Sequence, residues 1–460
     1  MKHAAVLTVL ITMGTAPAVA QDADYIRALA AGYEAAFTCS ATFNAGQTPA
    51  EIDANELNRI YDEYRNDVGE LSAVIDEDAK TVSVSYSENM PPRVAAWRPN
   101  LGCSQLPIGA DPSLAASLPT VEGGPPQFVR APDWPWGDAG AERLSNDPDL
   151  TTRVEAAFDS RTYGAGSKTS AILIVKDGRI IAERYAHGVD ADTPQRTWSV
   201  AKSIAGTVLG IAAAQQKIDL LAPAQVPEWQ SPLDPRRQIT TDHLMRMASG
   251  LTSDFAGNRT DAIYIGGTSV ADSAPGQPLL HEPGSTFRYS NNDILLSLYG
   301  LRHAMGDDDA YRALPFTDLF WKIGMTRTFP ETDWRGDFVM SSQVWTTARD
   351  LARLGLLYLN DGVWEGERLL PLGFVKRVST MGPAQPDREW GYGGTFWVAQ
   401  PQTGLPRGTF AAFGNRGQYL VIVPDRDILV IRRGYDPIGE DGGFDVTAFS
   451  RDVVAALEGM

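Results

Sequence analysis

The chain has 460 residues, 43% of them hydrophobic, and a formal net charge of −17 at pH 7. That length leaves room for two domains, and the acidity repels phosphate backbones, which argues against nucleic acid as a partner. Five histidines and two cysteines are few soft ligands, and no histidine stands in a ligand-type spacing with another or with a cysteine, so no metal or other cofactor is implied.

Lys2 and His3 precede an apolar stretch from Ala4 to Met13 and the small residues Ala18-Val19-Ala20. This is the three-part pattern of a secretory signal peptide over residues 1–20, cleaved before Gln21. The run is too short to span a bilayer and no later stretch approaches about 18 apolar residues, so no stable membrane anchor is expected. Export to the periplasm or the medium is expected, with the mature chain one charge more negative through loss of Lys2. The two cysteines, Cys39 and Cys103, suit an oxidising compartment, where a bridge between them is worth about 4 kcal/mol on loop-entropy grounds. Neither sits in a nucleophile motif.

Residues Asp22 to Gly46 read as a helix, with Ile26, Leu29, Tyr33, Ala36 and Phe37 at helical spacing, and Lys80 to Tyr86 alternates as a strand. Residues 21–105 therefore form a small α+β unit. From 106 to 140 the chain holds seven prolines. This is an extended connector whose Trp134 and Trp136 are expected to pack on a neighbour. A second unit, 141–460, opens with a helix around Val154 to Phe158. It continues into two apolar-rich runs, Ala171 to Val175 and Arg179 to Tyr185, joined by Asp177-Gly178, a β-hairpin signal. After a largely helical middle, Gln418 to Val423 and Ile428 to Arg432 make a second hairpin around Pro424 to Asp427, and Asp445 to Leu457 reads as a closing helix. Strands at both ends with helices between imply an antiparallel sheet flanked by a helical subdomain, an α+β fold.

The chemistry concentrates in few places. Gly164 to Thr169 lacks the Gly-Lys pair of a phosphate loop and precedes a strand, so it reads as a plain loop. The G-x-S-x-G elbow of Ser-His-Asp hydrolases is absent. Ser199-Val200-Ala201-Lys202, the S-x-x-K of the chain, opens the apolar run Ile204 to Ala214, a buried helix. At i and i+3 the hydroxyl of Ser199 and the amine of Lys202 share a face. A lysine among Ala201, Ile204 and Ala205 is poorly solvated, which depresses its pKa and suits it to act as a neutral base. Ninety positions on, Tyr289-Ser290-Asn291 lies in a turn before the helix Ile294 to Leu301. Two other Y-x-N triplets, at Tyr64 and Tyr358, fall on amphipathic helices and read as structural. Gly414-Asn415-Arg416-Gly417-Gln418 runs into a strand, where a glycine lets a substrate lie against the backbone.

These three motifs, in this order and with these separations, resemble the penicillin-recognising serine hydrolases over about Ser170 to Gly434. Within them the chain is most similar to the class C β-lactamase-like group, which includes 6-aminohexanoate-dimer hydrolase and related esterases. The resemblance implies a β-lactamase-like domain preceded by the small α+β unit. It makes Ser199 the acylated nucleophile and Lys202 its base partner, with Tyr289 shuttling a proton to the leaving group and Asn291 lining the pocket. It also places the N–H groups of Ser199 and Gln418 in the oxyanion hole, with Gly417 beside them. Where the family's third motif usually begins with Lys or His, this chain has Asn415, and Arg416 is expected to face away from the pocket. An amide offers no charge to a penicillin carboxylate, so short neutral ester, amide or peptide substrates are expected to be preferred. A β-lactamase, a cell-wall D-Ala peptidase and a non-catalytic penicillin-binding-like sensor stay open as alternatives. The N-terminal unit has no counterpart in the plain β-lactamase domain, and packing and substrate gating are both open roles for it.

Overall fold

The computed structural model describes residues 18–125, 133–141, 147–252, 260–438 and 443–458. The expected signal segment falls outside the described residues up to position 17. From Ala18 the chain is already helical, and the helix Ala18–Phe43 runs through the expected cleavage site. No described helix is long and apolar enough to cross a membrane.

The second unit is built on a seven-stranded antiparallel sheet. Its order runs Trp390–Tyr392, Trp397–Ala399, Phe410–Gly414, Gln418–Val423, Ile428–Gly434, Thr169–Lys176, Arg179–Tyr185. Strands from the two ends of the unit meet where Ile428–Gly434 pairs with Thr169–Lys176, as the two hairpins imply. Thr169–Lys176 is buried at every residue but the last. A strand covered on both faces needs no polar alternation, and this one reads as a continuous apolar run. Against one face lies the helix Ala348–Leu359, where Gly355 admits the side chains of Leu420 and Leu429. The helix Val200–Ala214, almost wholly buried, packs beside it on Phe410–Gly414. Pro148–Ala156, capped by the Asp147 side chain, packs with Val446–Glu458 and covers the other face. In the connector, the Trp134 indole donates to Gly178 O and Trp136 packs edge-on against Trp364.

The N-terminal unit is a four-stranded antiparallel sheet of Ala73–Asp76, Thr81–Val84, Arg93–Arg98 and Gly102–Gln105, under the helix Ala18–Phe43. The small residues Ala31, Ala35 and Cys39 on the helix let it settle against Val82, Val84, Ala95 and Cys103, and a disulfide joins Cys39 to Cys103. The same helix also packs on the second unit. A Cβ at Gly32 would lie 2.1 Å from the Ile265 carbonyl oxygen, so only glycine permits this approach. Leu29, Tyr33 and Phe37 share a core with Trp198, Ile265 and Ile438. Buried Arg93 donates to Ala28 O, Leu106 O, Ile265 O and Gly266 O. Across the same seam the buried Glu331 carboxylate accepts from Ser40 Oγ, Asn44 Nδ2 and the Cys103 N–H.

Candidate active site

Ser199 is the N-cap residue of the helix Val200–Ala214, which places Lys202 one turn further on. Because that helix is sunk in the core, Lys202 is only 1% exposed. Its Nζ lies 2.9 Å from Ser199 Oγ, 2.6 Å from Asn291 Oδ1 and 2.7 Å from Ser341 O. None of these partners is a carboxylate, so nothing offsets the loss of hydration, and burial pulls the amine down to about 7. A neutral amine has two N–H bonds and one lone pair. The two carbonyl oxygens accept the N–H bonds, and the lone pair is left facing the Ser199 hydroxyl.

Tyr289 precedes the helix Asn291–Met305, whose first turn is closed by the Ser290 side chain on the Asp293 N–H. That cap delivers Asn291 to Lys202. Tyr289 is hydrogen-bonded to Ser199, and its ring lies 4.9 Å from Lys202 Nζ. Burial pushes its hydroxyl up to about 12, an effect only partly countered by the Ser199 bond and by the positive charge of Arg388. Of the two groups beside Ser199, the amine is thus the one that loses its proton near neutrality. If it serves as base, kcat/KM rises with pH through an ionisation near 7, because the neutral form is the active one. A pH–rate profile flat from 6 to 9 would rule this out.

Ser199, Tyr289, Asn291, Gly414 and Asn415 line one pocket of about 420 Å³. Among the described residues lining it there is no histidine. The third motif is only partly at the site. Gly414, at the end of its strand, comes so close that a Cβ there would lie 2.2 Å from Thr197 O and 3.2 Å from Ser199 N. Residues 415 to 417 then turn back, with φ of +56° at Arg416 and +77° at Gly417. In this tight turn Gly417 and Gln418 are not among the pocket's lining residues, whereas Gly414 and Asn415 are. A Cβ at Gly417 would strike the Arg432 guanidinium, and the Gln418 side chain points inward, donating to Gly434 O and accepting from Arg433 Nε. Arg416 does face away from the pocket, though from the turn and not from a strand. It is buried against the carbonyls of Asp436, Glu56 and Asn58.

Three further groups of lining residues carry no motif in the sequence. Trp397, Phe413 and Tyr419 come from three successive strands of the seven-stranded sheet, and Arg388 brings an exposed cation 5.3 Å from the Trp397 ring. Arg196, three residues before Ser199, is buried with its guanidinium 4.3 Å from the Phe37 ring and 3.9 Å from the Trp198 ring. Finally Tyr33, Phe37, Tyr61 and Tyr64 enter from the N-terminal unit. Two of these, Tyr33 and Phe37, belong to the helical stripe that reads in sequence as ordinary core, and no spacing distinguishes a residue that faces a pocket from one that faces a core.

A β-lactamase family model matches residues 154–432. The 6-aminohexanoate-dimer hydrolase of Paenarthrobacter ureafaciens is 28% identical over 323 residues, covering 64% of this chain and 76% of its own length. Among solved structures, the octameric penicillin-binding protein homologue from Pyrococcus abyssi is similar with a TM-score of 0.53 at 16% identity, over 68% of this chain and 78% of that one. A D-alanine carboxypeptidase from Burkholderia cenocepacia gives 0.50 at 19% identity, over 68% and 99%. At these identities the two structures speak for the fold alone. The family match takes in more than half of the chain, including Ser199, Lys202, Tyr289 and Asn291, and the chain therefore belongs to the β-lactamase family, a fold family of serine hydrolases that includes 6-aminohexanoate-dimer hydrolase.

Proposed function

We propose that the protein hydrolyses a small neutral ester or amide through an acyl-enzyme on Ser199. The observation that carries this reading is the position of Lys202 Nζ, held by two carbonyl oxygens with its third direction toward Ser199 Oγ. In the acylation step the Ser199 proton passes to Lys202 Nζ while Oγ attacks the substrate carbonyl carbon. The carbonyl oxygen then carries the negative charge, which needs donors already in place. One is the Ser199 N–H at the start of its helix. The other, in this reading, is the N–H of Asn415, the residue after Gly414, in place of that of Gln418. The proton leaves through the Tyr289 hydroxyl to the departing oxygen or nitrogen, and water then releases the acyl group by the reverse path.

Asn415 is uncharged, Arg416 is turned away, Arg196 is covered by two rings, and the charge of Arg388, set over the Trp397 ring, stands in solvent, which supports neutral substrates. Export to an oxidising compartment is part of the proposal, supported by the Cys39–Cys103 disulfide. A fluorophosphonate probe is expected to label the protein once, on the peptide containing Ser199, and Ser199→Ala is expected to abolish both labelling and turnover of p-nitrophenyl butyrate. Labelling that survives the substitution would assign the nucleophile elsewhere. On the same preparation p-nitrophenyl butyrate is expected to exceed nitrocefin by about tenfold or more in kcat/KM, or about 1.4 kcal/mol of transition-state binding. Nitrocefin as the better substrate would make the chain a β-lactamase proper.

A further inference from the structure

The family match begins at residue 154, yet residues from well before it reach the pocket that holds Ser199. They arrive as a connected series of rings. Trp198, next to the nucleophile, lies 6.0 Å from Phe37, which stacks at 4.0 Å on Tyr33. Tyr33 is 6.3 Å from Tyr64, and Tyr64 meets Tyr61 edge-on at 6.4 Å. A second series runs from Tyr289 onto the sheet, with Tyr289 at 5.4 Å from Trp397 and Trp397 stacked at 5.9 Å on Phe413. Ser199 sits where both series meet the pocket. In all, ten of the nineteen lining residues are aromatic, so the pocket is defined by ring faces and edges more than by polar groups.

The hydroxyls of the first series are already engaged by protein. Tyr64 donates to Asp261 Oδ2, Tyr33 lies at 3.5 Å from Glu56 O, and Tyr61 accepts from Asn415 Nδ2 at 3.5 Å. What is open to a ligand is the half-buried ring of Tyr61, with the buried rings of Tyr33, Phe37 and Tyr64 packed behind it. Aromatic rings attract one another edge-to-face or offset-stacked beyond what area burial alone gives, and a flat rigid group gives up fewer rotors on binding than a linear chain. The ring beside the nucleophile is itself fixed in place. Trp198 holds a φ of +50°, a region that favours glycine, and it is kept there between Phe37 and the Arg196 guanidinium.

We infer that the N-terminal unit forms a substrate subsite, an aromatic wall that takes the aryl group of an uncharged ester or amide whose carbonyl carbon sits at Ser199. The inference rests on the proposal that Ser199 is the nucleophile in this pocket. It gives the unit a specificity role, set by Tyr33, Phe37, Tyr61 and Tyr64.

Binding without turnover tests it. In the full-length Ser199→Ala protein, calorimetry with phenylacetamide is expected to give at least tenfold tighter binding than with hexanamide, a linear amide of similar apolar content. Adding Tyr61→Ala, at a half-buried position, or Phe37→Leu, which keeps an apolar side chain but removes the ring, is expected to cut that preference to threefold or less. Loss of the preference in either variant supports the wall. Equal binding of the two amides, or a preference that persists in both variants, overturns it. Because the nucleophile is absent from these proteins, such a failure leaves the acyl-enzyme proposal standing, and failure of the fluorophosphonate to label Ser199 leaves the binding result standing.

Discussion

Replacing Lys202 with methionine is expected to lower kcat/KM on p-nitrophenyl butyrate by a hundredfold or more while the chain stays folded. Methionine keeps the length and fills the space, but a thioether neither accepts the Ser199 proton with useful basicity nor donates to the two carbonyls. General base catalysis contributes about 10²–10⁴-fold, and a serine hydroxyl without a base is a weak nucleophile. The stability effect is the sum of opposing contributions. Asn291 Oδ1 and Ser341 O lose a donor, at about 1–3 kcal/mol for each buried group left unsatisfied. Against that, an amine whose charged form is strongly desolvated is no longer buried. Activity retained above about a tenth, with an unchanged melting temperature, would show that Lys202 does not supply the usual proton-transfer gain.

The largest expected loss of stability follows from Asp436→Ala. Arg432 is fully buried, and Asp436, at 3% side-chain exposure, pairs with it at 2.7 Å. The same carboxylate accepts from the Lys168 N–H and the Phe444 N–H. Arg432 also donates to Gly417 O, so the pair supports the turn that presents Gly414 and Asn415 to Ser199. Truncating one member strands a buried guanidinium, which costs about 3–5 kcal/mol. Denaturant unfolding of Asp436→Ala measures this loss. The further change Arg432→Leu is expected to recover more than half of it, since most of the loss is the orphaned charge and not the attraction of the pair. A double variant no more stable than Asp436→Ala would mean that the pair itself, or the turn it holds, carries the stability.

Much of the hydrolase unit is legible in sequence because its signals are local. The hairpin at Asp177-Gly178 and the strands Gln418–Val423 and Ile428–Gly434 are written as apolar runs broken by turn residues, and a sheet closed between two helical layers needs no more than that. Ser199 and Lys202 are legible because one helical turn relates them, and Tyr289 and Asn291 because a capped helix follows them. The third motif is legible only to its strand. Whether the chain turns after Gly414 or continues depends on a left-handed conformation at Arg416, a residue type that does not announce one. The aromatic pocket is illegible for another reason. Tyr33 and Phe37 meet Trp198 across more than 160 positions of chain, and a contact of that range leaves no trace in local spacing.

The seam between the two units has a consequence for how the molecule comes apart. Gly32 against Ile265, Arg93 reaching four carbonyls on both sides, and Glu331 accepting from three donors of the first unit tie the two units directly to each other where the sequence changes character near residue 105. Separating the halves would bare Trp198 and Ile265 and strip a buried carboxylate of its donors, so neither half has an intact surface of its own. The boundary that composition marks near residue 105 is thus not one of cooperativity: the helix Ala18–Phe43 and the helix that follows Ser199 are expected to melt together, as one thermodynamic body.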